Sequence, residues 1–179
     1  MGILTLIKER PVLISLAFCV SLLSTALVAA GDDNLASNEN IAKICVSNAA
    51  EGLGAIAADF GDNEEFIDLI RSFVGPIRFY PDKSGYFYVY DYDCVNIAHP
   101  VQPELVGKGL YDYQDAKGAY VIRELAETAL KGGGFVEYYW AKPGEKGQYK
   151  KVGYVEPIPN TDYFIGTGVY LPETADKQP

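Results

Sequence analysis

The chain has 179 residues, 49% of them hydrophobic, with 15 basic and 24 acidic side chains and a formal net charge of −9. An acidic chain without a basic cluster lacks the cationic footprint that nucleic acid or an anionic lipid surface requires. The apolar share suits one packed domain once the N-terminus is set aside, and fourteen Tyr beside a single Met point to an aromatic core whose hydroxyls need partners.

Residues 1–30 read as a signal peptide. Lys8 and Arg10 precede an apolar run over 12–27, and Val28, Ala29 and Ala30 supply small residues for cleavage. The alternative is an uncleaved anchor, since the run approaches spanning length. Cleavage predicts a periplasmic or secreted protein with no membrane attachment of its own. Residues 31–37 are then a polar leader and 172–179 a polar tail. Cys45 and Cys94 are the cysteines left after cleavage, and an even pair in an exported chain predicts one disulfide. Their spacing excludes a C-x-x-C redox motif and a C-x-x-C-H haem site. The chain also has no N-x-[ST] glycosylation site, which agrees with a bacterial periplasm.

A first helix is predicted over 38–59. Ile41, Ile44, Cys45, Ala49, Leu53, Ile56, Ala57 and Phe60 recur at steps of three and four. It is expected to lie on a sheet through Ile41, Ile44, Leu53 and Ile56. Gly52 and Gly54 either weaken it or admit a close neighbour. Gly61 stops it. Asp62 and Glu65 have capping-box spacing for a second helix, which carries Phe66, Ile67, Leu69, Ile70, Phe73 and Val74 and ends at Gly75-Pro76.

The stretch GYFYVYD that follows has strand composition. Tyr86, Tyr88 and Tyr90 share one face, Phe87 and Val89 the other. Tyr90 lies near the turn and is expected to be partly exposed. Residues 91–94 form a turn and 95–98 a second strand, closed by His99-Pro100 because proline cannot donate to a ladder. His99 is the single histidine. A connection rich in Pro, Gly and Asp runs to Gly118, long enough to suggest function. A third helix is predicted over 120–131, then strands over 135–142, 148–157 and 163–171. Gly166 and Gly168 in the last strand mark a close approach. Segregated helices and hairpin-joined strands mean α+β with an antiparallel sheet.

The succession GYFYVYD, AHP with ELVGK, DAKG, GGGFVEYYW, KKVGYV and IGTGVY resembles the single Cache domains of bacteria, PAS-like extracytoplasmic sensor modules. The resemblance runs from the first helix to Tyr170 and assigns residues 38–171 to one such domain. It implies a PAS-like Cache fold: a five-stranded antiparallel sheet, a long N-terminal helix on one side and a ligand pocket on the other. It also implies a small organic anion as ligand, such as acetate, propionate, pyruvate or lactate. Such domains usually sit outside the membrane on chemoreceptors and histidine kinases. Here the expectation is a stand-alone periplasmic binding or sensing module without its own output domain, with a membrane sensor or transporter as partner. The alternative is a structural or docking module with no small-molecule ligand.

The candidate ligand-binding residues are Arg78, Tyr86, Tyr88, His99, Tyr138 and Lys151. His99 matches the family's His-Pro and is expected to donate to a carboxylate, most strongly when protonated. The plain alternative is a histidine bonded to backbone at a strand end. Tyr86 and Tyr88 offer phenol donors, and Tyr138 matches a family wall position that also suits core packing. Lys151 fits the family's lysine three residues before Tyr154. Lys150 adjoins it, and only one of the two can face a given side of a strand. Arg78 is a second cation, unless it pairs with Asp82. Asp91, Asp93 and the acids at 112 and 115 lack EF-hand spacing and read as turn residues, so no metal or cofactor is expected. No Ser-His-Asp elbow, H-E-x-x-H or phosphate loop occurs, so the chain is not read as an enzyme.

Overall fold

The computed structural model describes residues 32–60 and 63–171. The signal peptide expected over 1–30 and the polar tail over 172–179 lie outside the described residues. Helix α1 spans Asp32–Phe60, so the stretch taken as a polar leader is helical from residue 32 on. No Gly or Pro occurs between Asp32 and Glu51, and polar composition alone does not stop a helix.

The buried stripe of α1 is Ala42, Val46, Ala49, Ala50, Leu53 and Ala57. The stripe expected from the larger residues is corrected here. Ile41, Ile44 and Ile56 are 40%, 60% and 37% exposed, and only Leu53 of the four is in the core. Ile41 and Ala42 point about 100° apart on a helix. The alanine side wins because small residues let the helix lie close to bulky sheet residues such as Phe87, Val89 and Ile165. Gly54 shows how close the chains come: a β-carbon there would stand 2.7 Å from the Pro159 ring. Helix α2 spans Glu64–Val74 and buries Phe66, Ile70 and Val74. Its cap is Asn63, whose Oδ1 accepts from the Phe66 N–H at 3.0 Å. This replaces the cap expected at Asp62, which lies outside the described residues.

The sheet has strands β1 (Tyr88–Asp91), β2 (Asn96–Ala98), β3 (Gly134–Ala141), β4 (Gln148–Pro157) and β5 (Tyr163–Tyr170). Their order is β2-β1-β5-β4-β3, and every neighbouring pair is antiparallel. The last strand therefore enters the middle. One face packs on α1 and α2. The other carries Tyr86, Tyr88, Tyr90, Tyr138, Trp140 and Phe164 and is covered by α3 (Val121–Leu130) through Val121, Ile122 and Leu125. Burying each large side chain contributes roughly 1.5–3 kcal/mol.

This layering overturns the expected disulfide. Cys45 packs into the core on the α1 face, Cys94 belongs to the core on the α3 face, and both are free thiols. The sheet itself stands between the two sulfur atoms.

Candidate functional site

The α3 face of the sheet holds a buried ammonium. In the strand register Lys151 lies opposite Tyr138 of β3 and Tyr170 of β5, so the three side chains stand side by side on one face. Lys151 is 1% exposed. Its Nζ donates to Tyr86 Oη at 3.2 Å. It faces the rings of Tyr86, Tyr170 and Tyr88 at 4.3, 4.8 and 5.5 Å. No acidic side chain among the described residues offsets its charge, and burial pushes its pKa down to about 7. Lys150 points to the opposite face and pairs with Glu137 at 2.7 Å. The strand's period of two thus decides between the lysines.

Glycines make room for this arrangement. A β-carbon at Gly168 would stand 2.7 Å from Lys151 Cε, one at Gly153 2.7 Å from Tyr138 Cε1, and one at Gly166 2.6 Å from the Tyr88 ring. The floor of the site is therefore bare backbone, as the glycines in the last strand suggested.

His99 follows β2 and is 3% exposed. Its Nδ1 accepts from the Gln102 N–H at 3.0 Å, so the neutral ring carries its proton on Nε2. Burial, reinforced by the Lys151 charge, pushes its pKa down to about 3. The expectation of a protonated His99 is corrected: the ring is neutral, and Nε2–H is the proton it has to donate. Gln102 also accepts from Trp140 Nε1–H at 2.8 Å, so one connection residue positions both rings.

The tyrosines divide into two groups. Tyr170 donates to the Ala141 carbonyl at 2.6 Å. Its hydroxyl lies 3.3 Å from Tyr86 Oη, so Tyr86 donates to Tyr170 and accepts from Lys151. Tyr86 therefore holds the ammonium from behind and does not line the cavity. Tyr88 and Tyr138 do line it, with hydroxyls 3.2 Å apart. Tyr88 donates to the Thr167 carbonyl at 3.5 Å, so within that pair Tyr138 donates and Tyr88 accepts. Arg78 is not a lining residue. It donates to the carbonyls of Gly75, Ile77 and Pro100 at 3.0, 2.6 and 3.1 Å and braces the corner after His99. No pairing of Arg78 with Asp82 is formed; Asp82 pairs with Lys142 at 3.5 Å.

The cavity is lined by Tyr88, Tyr90, His99, Tyr138, Trp140 and Lys151, with Val121, Ile122 and Leu125 of α3 as its roof. It encloses about 190 Å³ of atom-free space, its mouth included. The cavity volume comparable to known ligand pockets is only about 10 Å³, room for about one water molecule, so an organic occupant is small and needs the lining side chains to shift. Tyr90, expected to be partly exposed, is 1% exposed, its ring packed against those of Tyr88 and Phe164. Trp140 was missed although it stands two strand residues from Tyr138. The α3 residues were legible only as a core stripe, and Gln102 carried no sequence signal.

The family model for the Cache domain matches residues 41–178. The chain belongs to the Cache domain family. Among curated relatives, a stretch of 89 residues is 44% identical to the sensor histidine kinase MctS of Rhizobium johnstonii. That stretch is 50% of this chain and 19% of the kinase, so this Cache chain spans only a small part of the relative's length. A solved periplasmic sensor domain of a chemotaxis protein is 29% identical with a TM-score of 0.68, covering 78% of this chain and 99% of that one. A Cache chemosensory domain, described for its recognition of carboxylic acid, is 27% identical with a TM-score of 0.67, covering 80% and 99%. The two solved relatives of the Cache domain are sensor domains.

Proposed function

We propose that this Cache domain binds a short carboxylate outside the cytoplasmic membrane and serves as a sensing module whose output is delivered by a membrane sensor or transporter. The observation that carries the reading is Lys151, a buried ammonium in an aromatic box with no acidic partner among the described residues. An unpaired buried charge is costly, and a small anion beside Nζ removes that cost. The neutral His99 Nε2–H supplies a further donor to the carboxylate, Tyr138 forms a wall beside it, and Trp140, Ile122 and Leu125 contact its alkyl part. The carboxylic-acid-recognising neighbour supports the same ligand class. Hydrogen bonds to charged groups contribute about 1.5–3 kcal/mol each. Two or three of them, less the association cost, give affinity on the order of micromolar.

Calorimetry or thermal shift against acetate, propionate, lactate, pyruvate and C4 diacids tests the proposal. At least one acid is expected to stabilise the wild type and the Lys150→Ala variant but not Lys151→Met. Folded protein, freed of ligand, that responds to no organic anion would leave the docking-module reading ahead.

A further inference from the structure

Two polar side chains on the cavity side of β1 and β2 have no protein partner. Tyr90 is 1% exposed and Asn96 0%. Tyr90 Oη and both Asn96 side-chain atoms, Oδ1 and Nδ2, form no hydrogen bond with any described residue. The residues are opposite one another in the β1–β2 register, and Tyr90 lines the cavity. The Asn96 amide lies beside the Tyr90 hydroxyl but without the alignment of a hydrogen bond. Were the two to rotate into one bond, the other amide group would still be unpaired. Buried polar groups in native folds are nearly all satisfied, so an unpaired cluster beside a cavity indicates a ligand group or a structural water.

The cluster lies away from the ammonium. Lys151 Nζ faces the Tyr86 and Tyr88 rings at 4.3 and 5.5 Å, and the Tyr90 ring is a further 5.9 Å from that of Tyr88. We propose that Tyr90 and Asn96 form a second polar subsite that takes an uncharged oxygen at the end of the ligand remote from its carboxylate. This rests on the carboxylate reading and narrows it. The ligand is a short-chain acid with a terminal hydroxyl or carbonyl. A hydroxyl suits both residues, donating to Asn96 Oδ1 and accepting from Tyr90 O–H. A second carboxylate does not, because neither residue carries a charge to offset it. An unsubstituted alkyl acid leaves the pair unsatisfied.

The test is calorimetry on the full protein with matched pairs: propanoate and 3-hydroxypropanoate, butanoate and 4-hydroxybutanoate, pentanoate and 5-hydroxypentanoate. In the wild type at least one hydroxy acid is expected to bind about tenfold more tightly than its parent, the effect of one hydrogen bond. Tyr90→Phe should bring that ratio near one. Asn96→Leu should do the same, which covers a folding failure of either variant. Equal binding within every pair, or equal weakening of both members by Tyr90→Phe, overturns the subsite and leaves the carboxylate reading intact. A fall in melting temperature for Tyr90→Phe with no selectivity in the wild type identifies a structural water and also overturns it. If no acid of either series binds, the subsite falls, and the carboxylate reading falls with it only when acetate, lactate, pyruvate and the C4 diacids also fail to bind.

Discussion

Lys151 and His99 lie in one site, yet burial pushes both toward their neutral forms with opposite consequences. On the proposed reading the neutral His99 ring donates to the ligand. Its Nε2–H tautomer is expected to persist from about pH 5 to 8, because the pKa is pushed down to about 3. Nitrogen NMR of the imidazole checks this, and a titration midpoint near the ordinary histidine value would refute it. On the same reading Lys151 acts in its charged form. With a pKa of about 7, binding of a carboxylate should weaken as pH rises above 7. The same residue affects stability in the opposite sense. Between pH 7 and 10.5 the unfolded chain holds a proton that the folded chain does not, so stability rises with pH across that window. Lys151→Met keeps a similar volume and removes the cost of the buried charge. It should melt higher than the wild type without anion near pH 7, and the gap should shrink toward pH 10. A variant that melts lower would mean the ammonium has a structural partner.

The connection between β2 and α3 and the glycines of β4 and β5 decide whether the cavity exists. Asp115 fastens the connection to the sheet. Its Oδ1 accepts from the Lys117 and Ala119 N–H groups at 2.8 and 3.0 Å, and its Oδ2 from Tyr139 N–H at 2.8 Å. Burial works against its charge, but these backbone donors hold the carboxyl below the usual range. The stability it contributes is present above the unfolded carboxylate pKa and is lost as pH falls through the lower folded value. Asp115→Ala should cost about 1–3 kcal/mol in denaturant unfolding and weaken acid binding, with a smaller loss below pH 3. On the opposite wall, Gly166→Ala brings a methyl within 2.6 Å of the Tyr88 ring. Overpacking of this kind costs about 1–3 kcal/mol, and the displaced ring should fill the cavity. An unchanged affinity in that variant would show that Tyr88 is not a wall.

At the scale of the molecule, the sheet is a partition. Helices α1 and α2 occupy one side, while α3, the connection and the cavity occupy the other. Because Cys45 and Cys94 stand on different sides, protein lacking residues 1–30 should titrate two thiols per chain in denaturant without reductant. Peptide mapping that recovers them linked would overturn the layering. Burial also raises both thiol pKa values, so neither should react quickly in the folded state.

The period of two along β1 and β4 was enough to place Tyr86, Tyr88 and Tyr90 on one face and to require that only one of Lys150 and Lys151 look inward. Strand geometry is local, and turn residues bound each strand, so the α+β class and the strand positions were legible in the residues themselves. What lay beyond reach was set by which surfaces meet. Helix α1 has two apolar stripes one residue apart, and only the bulk of the facing sheet selects the alanine side over Ile41, Ile44 and Ile56. The charge of His99 depends on Gln102 and Lys151, a neighbour 52 residues away (151 − 99) in the chain. Tyr90 is buried against Phe164 of the distant last strand, and Arg78 is bound to carbonyls that its own sequence neighbourhood only partly supplies. Burial and electrostatic fields are properties of the assembled layers, so the chemistry of the site follows from the tertiary structure.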